Sequence, residues 1–257
     1  MTNKNLWWRN YLLPATVVAV AIAVWWLLSA RGIFPPSQFP SPQEVAQGFG
    51  EEWRMGRLVN DIKASLLRVT VGFSLAVAGG VPLGLWLGHN ALARAAFLPA
   101  INFFRSLSPL AWIGFAILWF GIGTKSAVFL VFMATFFPLV LATSAAVAQI
   151  PAVHFRVAQD YGLKGIAMLT KVTLPAILPQ LITALRVTAG LAWVVLVAAE
   201  LAGAQEGLGF AIHDARNGLR PDLLVVAMII IGAIGVMLDR LLMLLTRIPS
   251  VRWGYDQ

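Results

Sequence analysis

The sequence predicts an all-α membrane protein, one domain over residues 1–257, with about six spanning helices. Composition is the first reason: 59% of the residues are hydrophobic and 12% charged, at a mean hydropathy of +0.80. A soluble domain carries about 25% charged residues, so the solvent this chain suits is a bilayer. The second reason is a series of apolar runs, each near the ~20 residues that cross a ~30 Å hydrocarbon layer. The third is that Lys and Arg gather at the ends of those runs, where interfacial cations belong. Cysteine is absent, which excludes disulfides, Cys-ligated metals and a Cys nucleophile. His89, His154 and His213 stand far apart and form no metal-ligand spacing. The formal charge of +8 reads as loop Lys and Arg, not as a nucleic-acid surface.

The first span runs from Tyr11 to Ala30, with Trp25 and Trp26 as interfacial anchors. Lys4 and Arg9 precede it, but its apolar run is too long for a signal peptide and no small-residue cleavage site follows. It is read as a retained span. The second covers about Ser65–Gly88 and carries Gly79, Gly80 and Gly84, small residues that let helices approach closely in lipid. The third covers about Phe97–Phe120, the fourth Ser126–Ala148, the fifth Leu178–Ala202 and the sixth Leu223–Leu245.

Lys and Arg slightly favour the side holding residues 1–10 and the loop 149–177, which is therefore expected to be cytoplasmic, with both chain ends. Glu44, Glu51, Glu52, Asp61, Glu206, Asp214 and Asp222 all fall in the segments 31–63 and 203–222, expected outside. In 31–63, Pro35, Pro36, Pro40 and Pro42 forbid a continuous helix. Ser41 can cap a short helix from Pro42, with Glu44 in its first turn. Val45, Phe49 and Trp53 then recur every four residues, as on a helix lying along a membrane surface. The outer loop with Gly207, Gly209 and Gly218 suits a re-entrant or hinged segment, or a plain connection.

The stretch RVAQDYGLKGIAMLTKVTLP, Arg156 to Pro175, is charged and Gly-broken although it lies between two apolar runs. Residues from Pro151 to Tyr161 predict a short helix, ended by Gly162 in the left-handed conformation. A second short helix is expected from Lys164 to about Thr173, with Ile166, Leu169 and Val172 on one side, before Pro175 and Pro179 turn the chain back into the membrane. Physics alone leaves two readings: a rigid knob made for a groove on a cytoplasmic partner, or an ordinary interfacial loop.

This stretch resembles the signature loop of ATP-binding-cassette (ABC) importer permeases, E-A-A-x-x-x-G and, nine residues on, I-x-L-P. Arg156, Val157 and Ala158 stand at the first three positions, Gly162 at the glycine, and Val172, Thr173, Leu174 and Pro175 at the end. The motif's Glu and first Ala are replaced here. SLLRVTVGFSLAVAGGVPLGLWLG, RSLSPLAWIGFAILWFGIGTKS and LPAILPQLITALRVTAGLAWVVLVAAELAGAQEGLGF extend the likeness over roughly residues 60–250. They resemble the branch importing nitrate, aliphatic sulfonates, taurine and bicarbonate. The resemblance implies a type I ABC-importer permease fold in a bacterial inner membrane, with six spans and a cytoplasmic coupling helix. It implies a second permease copy as a homodimer, two ATPase subunits carrying ATP and Mg, and an extracytoplasmic substrate-binding protein. It also implies ATPase coupling through Ala158, Asp160, Tyr161, Gly162, Leu163, Lys164, Gly165, Ile166, Leu174 and Pro175. No cofactor is expected on this chain.

Charge inside a membrane is costly and usually faces a cavity or a partner. Arg186, Trp193 and Glu200 recur every seven residues, so they share one helical stripe within about 40°, spread over ~21 Å. The stripe reads as pathway lining, or as Arg186 snorkelling to headgroups with Glu200 bonded within the bundle. Arg105 opens RSLSPLAW, in which Pro109 frees a backbone carbonyl. A guanidinium is a natural fork for an oxyanion, and the membrane edge is an equally ordinary home for Arg105. Arg68 and Asp239 lie near span ends and read as interfacial; Met133, Phe136 and Phe137 read as packing. Gly79, Gly80 and Gly84, with Ala189 and Gly190, are expected to offer close-packing faces to the second copy. No Ser, His and acid share a catalytic spacing and no P-loop is present, so ATP hydrolysis is assigned to another polypeptide. The competing readings are an ion-coupled secondary transporter acting without an ATPase, whose inverted repeats are not visible, and a membrane-embedded enzyme.

Overall fold

The computed structural model of the chain describes residues 12–244 except 34 and 36. Lys4, Arg9, Tyr11, Pro36, Leu245 and the two chain ends lie outside the described residues. All regular structure among the described residues is helical. The chain divides into two compact units, the described parts of Met1–Asn60 with Ala211–Ile230, and of Asp61–Phe210 with Ile231–Gln257.

In the first unit, helix α1 (Leu13–Ala30) buries none of its residues. A helix apolar on every side needs lipid around it. The Trp25 indole N–H donates to the Pro40 carbonyl at 2.9 Å. Helix α2 (Pro42–Arg54) starts on a capping box: Ser41 Oγ accepts from the Glu44 N–H at 3.2 Å, and the Glu44 carboxylate accepts from the Ser41 N–H at 2.7 Å. Two orphan donors are thereby satisfied. Val45 and Gly48 point inward, while Phe49 and Trp53 stay exposed with rings stacked at 6.0 Å. The Arg220 guanidinium forks between Glu51 at 2.8 Å and Asp222 at 2.7 Å.

Helix α3 (Arg57–His89) carries the chain into the second unit, followed by α4 (Ala91–Ser106), a 3-10 turn (Pro109–Trp112), α5 (Ile113–Phe120), α6 (Thr124–Ala148) and α7 (Ala152–Asp160). Helices α8 (Leu174–Gly203), α9 (Leu208–Asn217) and α10 (Pro221–Leu244) complete the chain. Among the described residues, five helical stretches are long and apolar enough to cross a membrane, six if α4 and α5 count as one bent span. The expected third span is therefore corrected: it is not one helix but two, inclined at 84°. Proline is the cause. Ser108, which precedes Pro109, is extended at φ −60° and ψ 128°, as the proline ring demands of its predecessor.

The glycines of α3 also differ from expectation. They do not await a second copy, because α6 of the same chain fills them. A methyl built on Gly84 would lie 2.6 Å from Thr143 Cβ, and one on Gly72 would lie 2.8 Å from Val131 Cβ. Gly79 and Gly80 face Phe136, Gly80 also faces Leu139, and Gly88 faces Val147. The pairs 72–131, 80–139, 84–143 and 88–147 keep one constant offset, so α3 and α6 run in the same direction. If α3 and α6 both cross a membrane, the bent pair α4–α5 returns the chain between them, in keeping with six candidate spans among the described residues.

Gly84→Ala should destabilise the folded chain by about 1–3 kcal/mol through overpacking. Gly232→Ala on α10, where nothing lies within 4 Å, should be neutral or mildly stabilising. Unfolding titrations in mixed micelles check the pair, and equal stabilities would refute the seam.

Candidate functional site

The coupling segment is built by local rules. Pro151 is extended and α7 follows for nine residues. The helix ends in a Schellman closure: the Leu163 N–H reaches the Ala158 carbonyl at 2.9 Å, and the Gly162 N–H reaches that of Gln159 at 2.8 Å. Gly162 at φ +77° and Gly165 at φ +54° supply the left-handed residues of the turn. Ala158 is buried and Leu163 half-buried, while Asp160, Lys164 and Tyr161 project, Tyr161 at 83% exposure.

The second half of the segment is not the separate helix expected from Lys164 to Thr173. One α-turn (Ile166–Met168) and a π-turn (Leu169–Thr173) run without a break into α8. Pro175 does not turn the chain: it follows the π-turn inside the continuous helical run Ile166–Gly203, at the first turn of α8. Ile166 is 79% exposed, Leu174 half-buried and Pro175 exposed.

The stripe on α8 resolves into three different environments. Arg186 forms a bidentate pair with Asp239 of α10, Nη2 lying 3.0 and 3.2 Å from the carboxylate oxygens, so Asp239, expected at the interface, is paired. Trp193 is buried, its indole donating to the Ile231 carbonyl at 3.1 Å. Glu200 is buried with Arg68, at side-chain exposures of 0% and 1%. That corrects Arg68, expected at the interface: its Nη1 donates to Glu200 Oε1 at 2.8 Å and to the Glu206 carbonyl at 2.7 Å. Its Nε donates to Thr124 Oγ1 at 3.2 Å.

Around this pair the loop after α8 is fastened amide by amide. The Gly207 N–H donates to Asp61 Oδ1 at 2.8 Å, the Leu208 N–H to Ser65 Oγ at 2.9 Å, and the Gly209 N–H to Glu200 Oε2 at 3.0 Å. Ser65 Oγ donates in turn to the Glu200 carboxylate at 2.8 Å. A Cβ on Gly207 would lie 2.6 Å from Glu200 Cδ, so glycine is what admits the backbone to the pair. Sequence reasoning missed Arg68, Ser65 and Asp61. The signal was there: one Arg and one Glu in separate apolar runs, each too costly to stand alone.

Arg105 is exposed in the last turn of α4, and Pro109 opens the 3-10 turn beyond it. Phe137 stacks on Phe104 at 5.4 Å and Phe136 lies edge-on to Phe137 at 5.2 Å. Among the described residues no three His, Asp or Glu side chains are grouped to hold a metal ion.

Breaking a buried ion pair strands its partner, so Glu200→Ala or Arg68→Ala should each cost about 3–5 kcal/mol. The double variant should cost less than the sum of the two. Unfolding in mixed micelles measures all three; strict additivity would mean that the two charges do not interact.

Comparison with known proteins follows this geometry. Residues 80–250 match the family of binding-protein-dependent transport system inner membrane components. The chain is 33% identical over 240 residues to the taurine transport system permease protein of Escherichia coli, covering 90% of this chain and 86% of that one. It is 32% identical over 237 residues to the nitrate import permease protein of Synechocystis, covering 88% and 85%. Its fold is similar to a chain of a bacterial alginate ABC transporter, at TM-score 0.65 and 15% identity, covering 95% of this chain and 96% of that one. A chain of the methionine ABC transporter in an inward-facing conformation is similar at TM-score 0.62 and 22% identity, covering 76% and 99%. Shared over most of its length with such permeases, and folded like the chains of solved ABC transporters, the chain belongs to the family of binding-protein-dependent transport system inner membrane components.

Proposed function

We propose that two copies of this chain form the translocation route of an ATP-driven importer for a small oxyanion. Two cytoplasmic ATPase subunits grip each pair of copies at residues 158–166, and an extracytoplasmic binding protein delivers the substrate. The observation that carries this reading is the knob: a helix closed by two left-handed glycines, with Asp160, Tyr161 and Lys164 projecting from a rigid tip. A tip so shaped and charged suits insertion into a groove. A grip can drive transport only through contacts that differ between the inward- and outward-open states.

The oxyanion class rests on relatives that transport taurine, aliphatic sulfonates, nitrate and bicarbonate. Arg105 is the cation we assign to the route, since it is exposed beside the break at Pro109. Arg186, Trp193 and Glu200 serve instead as scaffolding of the wall, because each is tied to another part of the chain. The second copy meets the apolar, exposed stripe of Val187, Gly190, Leu191 and Val194 on α8. The knob and both chain ends then lie in the cytoplasm, and the Glu200 cluster lies toward the outside.

Gly162→Val places a β-branched residue at φ +77°, a conformation such side chains resist. It should abolish uptake and the co-purification of ATPase while the chain still inserts; a stoichiometric complex with undiminished uptake would overturn the coupling role. Arg105→Ala should lower uptake about tenfold, the worth of a charge-assisted hydrogen bond, with ATPase recruitment unchanged. Uptake equal to that of the parent would remove Arg105 from the route.

A further inference from the structure

His89, the last residue of α3, joins the end of that helix to both halves of the coupling segment. Its Nδ1 lies 2.9 Å from the Leu85 carbonyl oxygen, one turn back on α3. A carbonyl only accepts, so Nδ1 carries a proton. Its Nε2 lies 3.0 Å from Thr173 Oγ1, and in a neutral ring that nitrogen accepts the hydroxyl proton. Thr173 is fully buried and is the last residue of the π-turn. The ring also stands edge-on to Phe155 of α7, with centroids 5.7 Å apart and planes at 73°.

The neighbourhood makes this tie matter. Beside His89 an open apolar cleft of about 630 Å³ is lined by Pro82, Leu85 and Trp86 of α3 and by Ile166, Met168 and Leu169. Leu85 and Leu169 belong to one apolar cluster, and the imidazole adds the polar tie from α3 to the π-turn. A π-turn holds one residue more than an α-turn, a register defect found often at functional sites. The hydroxyl that His89 holds is the one that ends this defect.

We infer that His89 is a positioning residue that locks α7 and the π-turn at the root of α8 into one body, so that a displacement of the knob reaches the spanning helix. The inference rests on the proposed ATPase grip. The test uses the complete complex of permease, ATPase and binding protein in phosphatidylethanolamine–phosphatidylglycerol vesicles. His89→Ala should leave ATP hydrolysis intact while uptake per ATP hydrolysed falls about fivefold, the scale set by one net hydrogen bond. Thr173→Val should do the same, and the double variant should lose no more than either single one. His89→Gln, whose amide oxygen can still accept from Thr173, should recover most of the coupling. A contact that merely stabilises the fold would lower hydrolysis, uptake and complex yield together; an unchanged uptake-to-hydrolysis ratio overturns the inference.

A second measurement needs no ATPase. The chain has no cysteine, so spin labels can be placed through Val153→Cys on α7 and Gln180→Cys on α8, both exposed. In the full-length permease alone, the label-to-label distance distribution should be narrow and should broaden in His89→Ala. A distribution that stays narrow overturns the lock. Broadening in a permease that recruits no ATPase would uphold the lock and remove the proposed grip instead.

Discussion

A carboxylate or a guanidinium left alone in hydrocarbon is costly enough to forbid the fold that contains it, and this chain meets that constraint by bringing Glu200 and Arg68 together. The consequences spread outward from the pair. Arg68 begins on α3, meets Glu200 on α8, and touches Thr124 at the start of α6. One side chain thus fixes three spanning helices. Glu200 also accepts from the Gly209 N–H in the first turn of α9, and the chain carries Gly207 and Gly209 where a Cβ would collide with Glu200. Apolar replacement of a buried pair is often neutral or stabilising, so what the pair supplies is a defined meeting point for the helices.

The far end of α3 solves a different problem. Arg68 and His89 are separated by about 30 Å of helix, and around His89 the contacts are neutral, fewer and flanked by open space. A tightly bonded cluster holds α3 to α8 at one end, and at the other a single imidazole makes the polar tie to the coupling segment. Stability in a protein is uneven in this way, with moving parts drawn from its less strongly held regions.

Periodicity and turn chemistry made most of the helices legible. Ser41 and Glu44 announced α2, and Gly162 announced the end of α7, because caps and left-handed glycines are decided within a few residues. What was not legible depended on partners distant in sequence. Arg68 looked interfacial until Glu200, far along the chain, came beside it. The glycines of α3 looked like a surface for another copy, since a small-residue stripe states that something approaches closely without stating what. Pro109 was visible and makes Ser108 extended, but the 84° bend also needs the extended Leu107, whose conformation the proline does not set. Pro175 was misread for the converse reason, since the π-turn ahead of it lets the helix run through the proline into α8.

The glycine seam between α3 and α6 limits how these helices can travel. Gly80, Gly84 and Gly88 recur every four residues against Leu139, Thr143 and Val147, so the two surfaces mesh like a toothed rack. Any slide shorter than one turn, about 5.4 Å, sets a residue with a Cβ where a glycine had been. Small thermal displacements are therefore returned to register, and α3 and α6 ride as a single keyed strut. Whatever changes shape in a working cycle must do so around that strut, and any slip along it would come in whole helical turns.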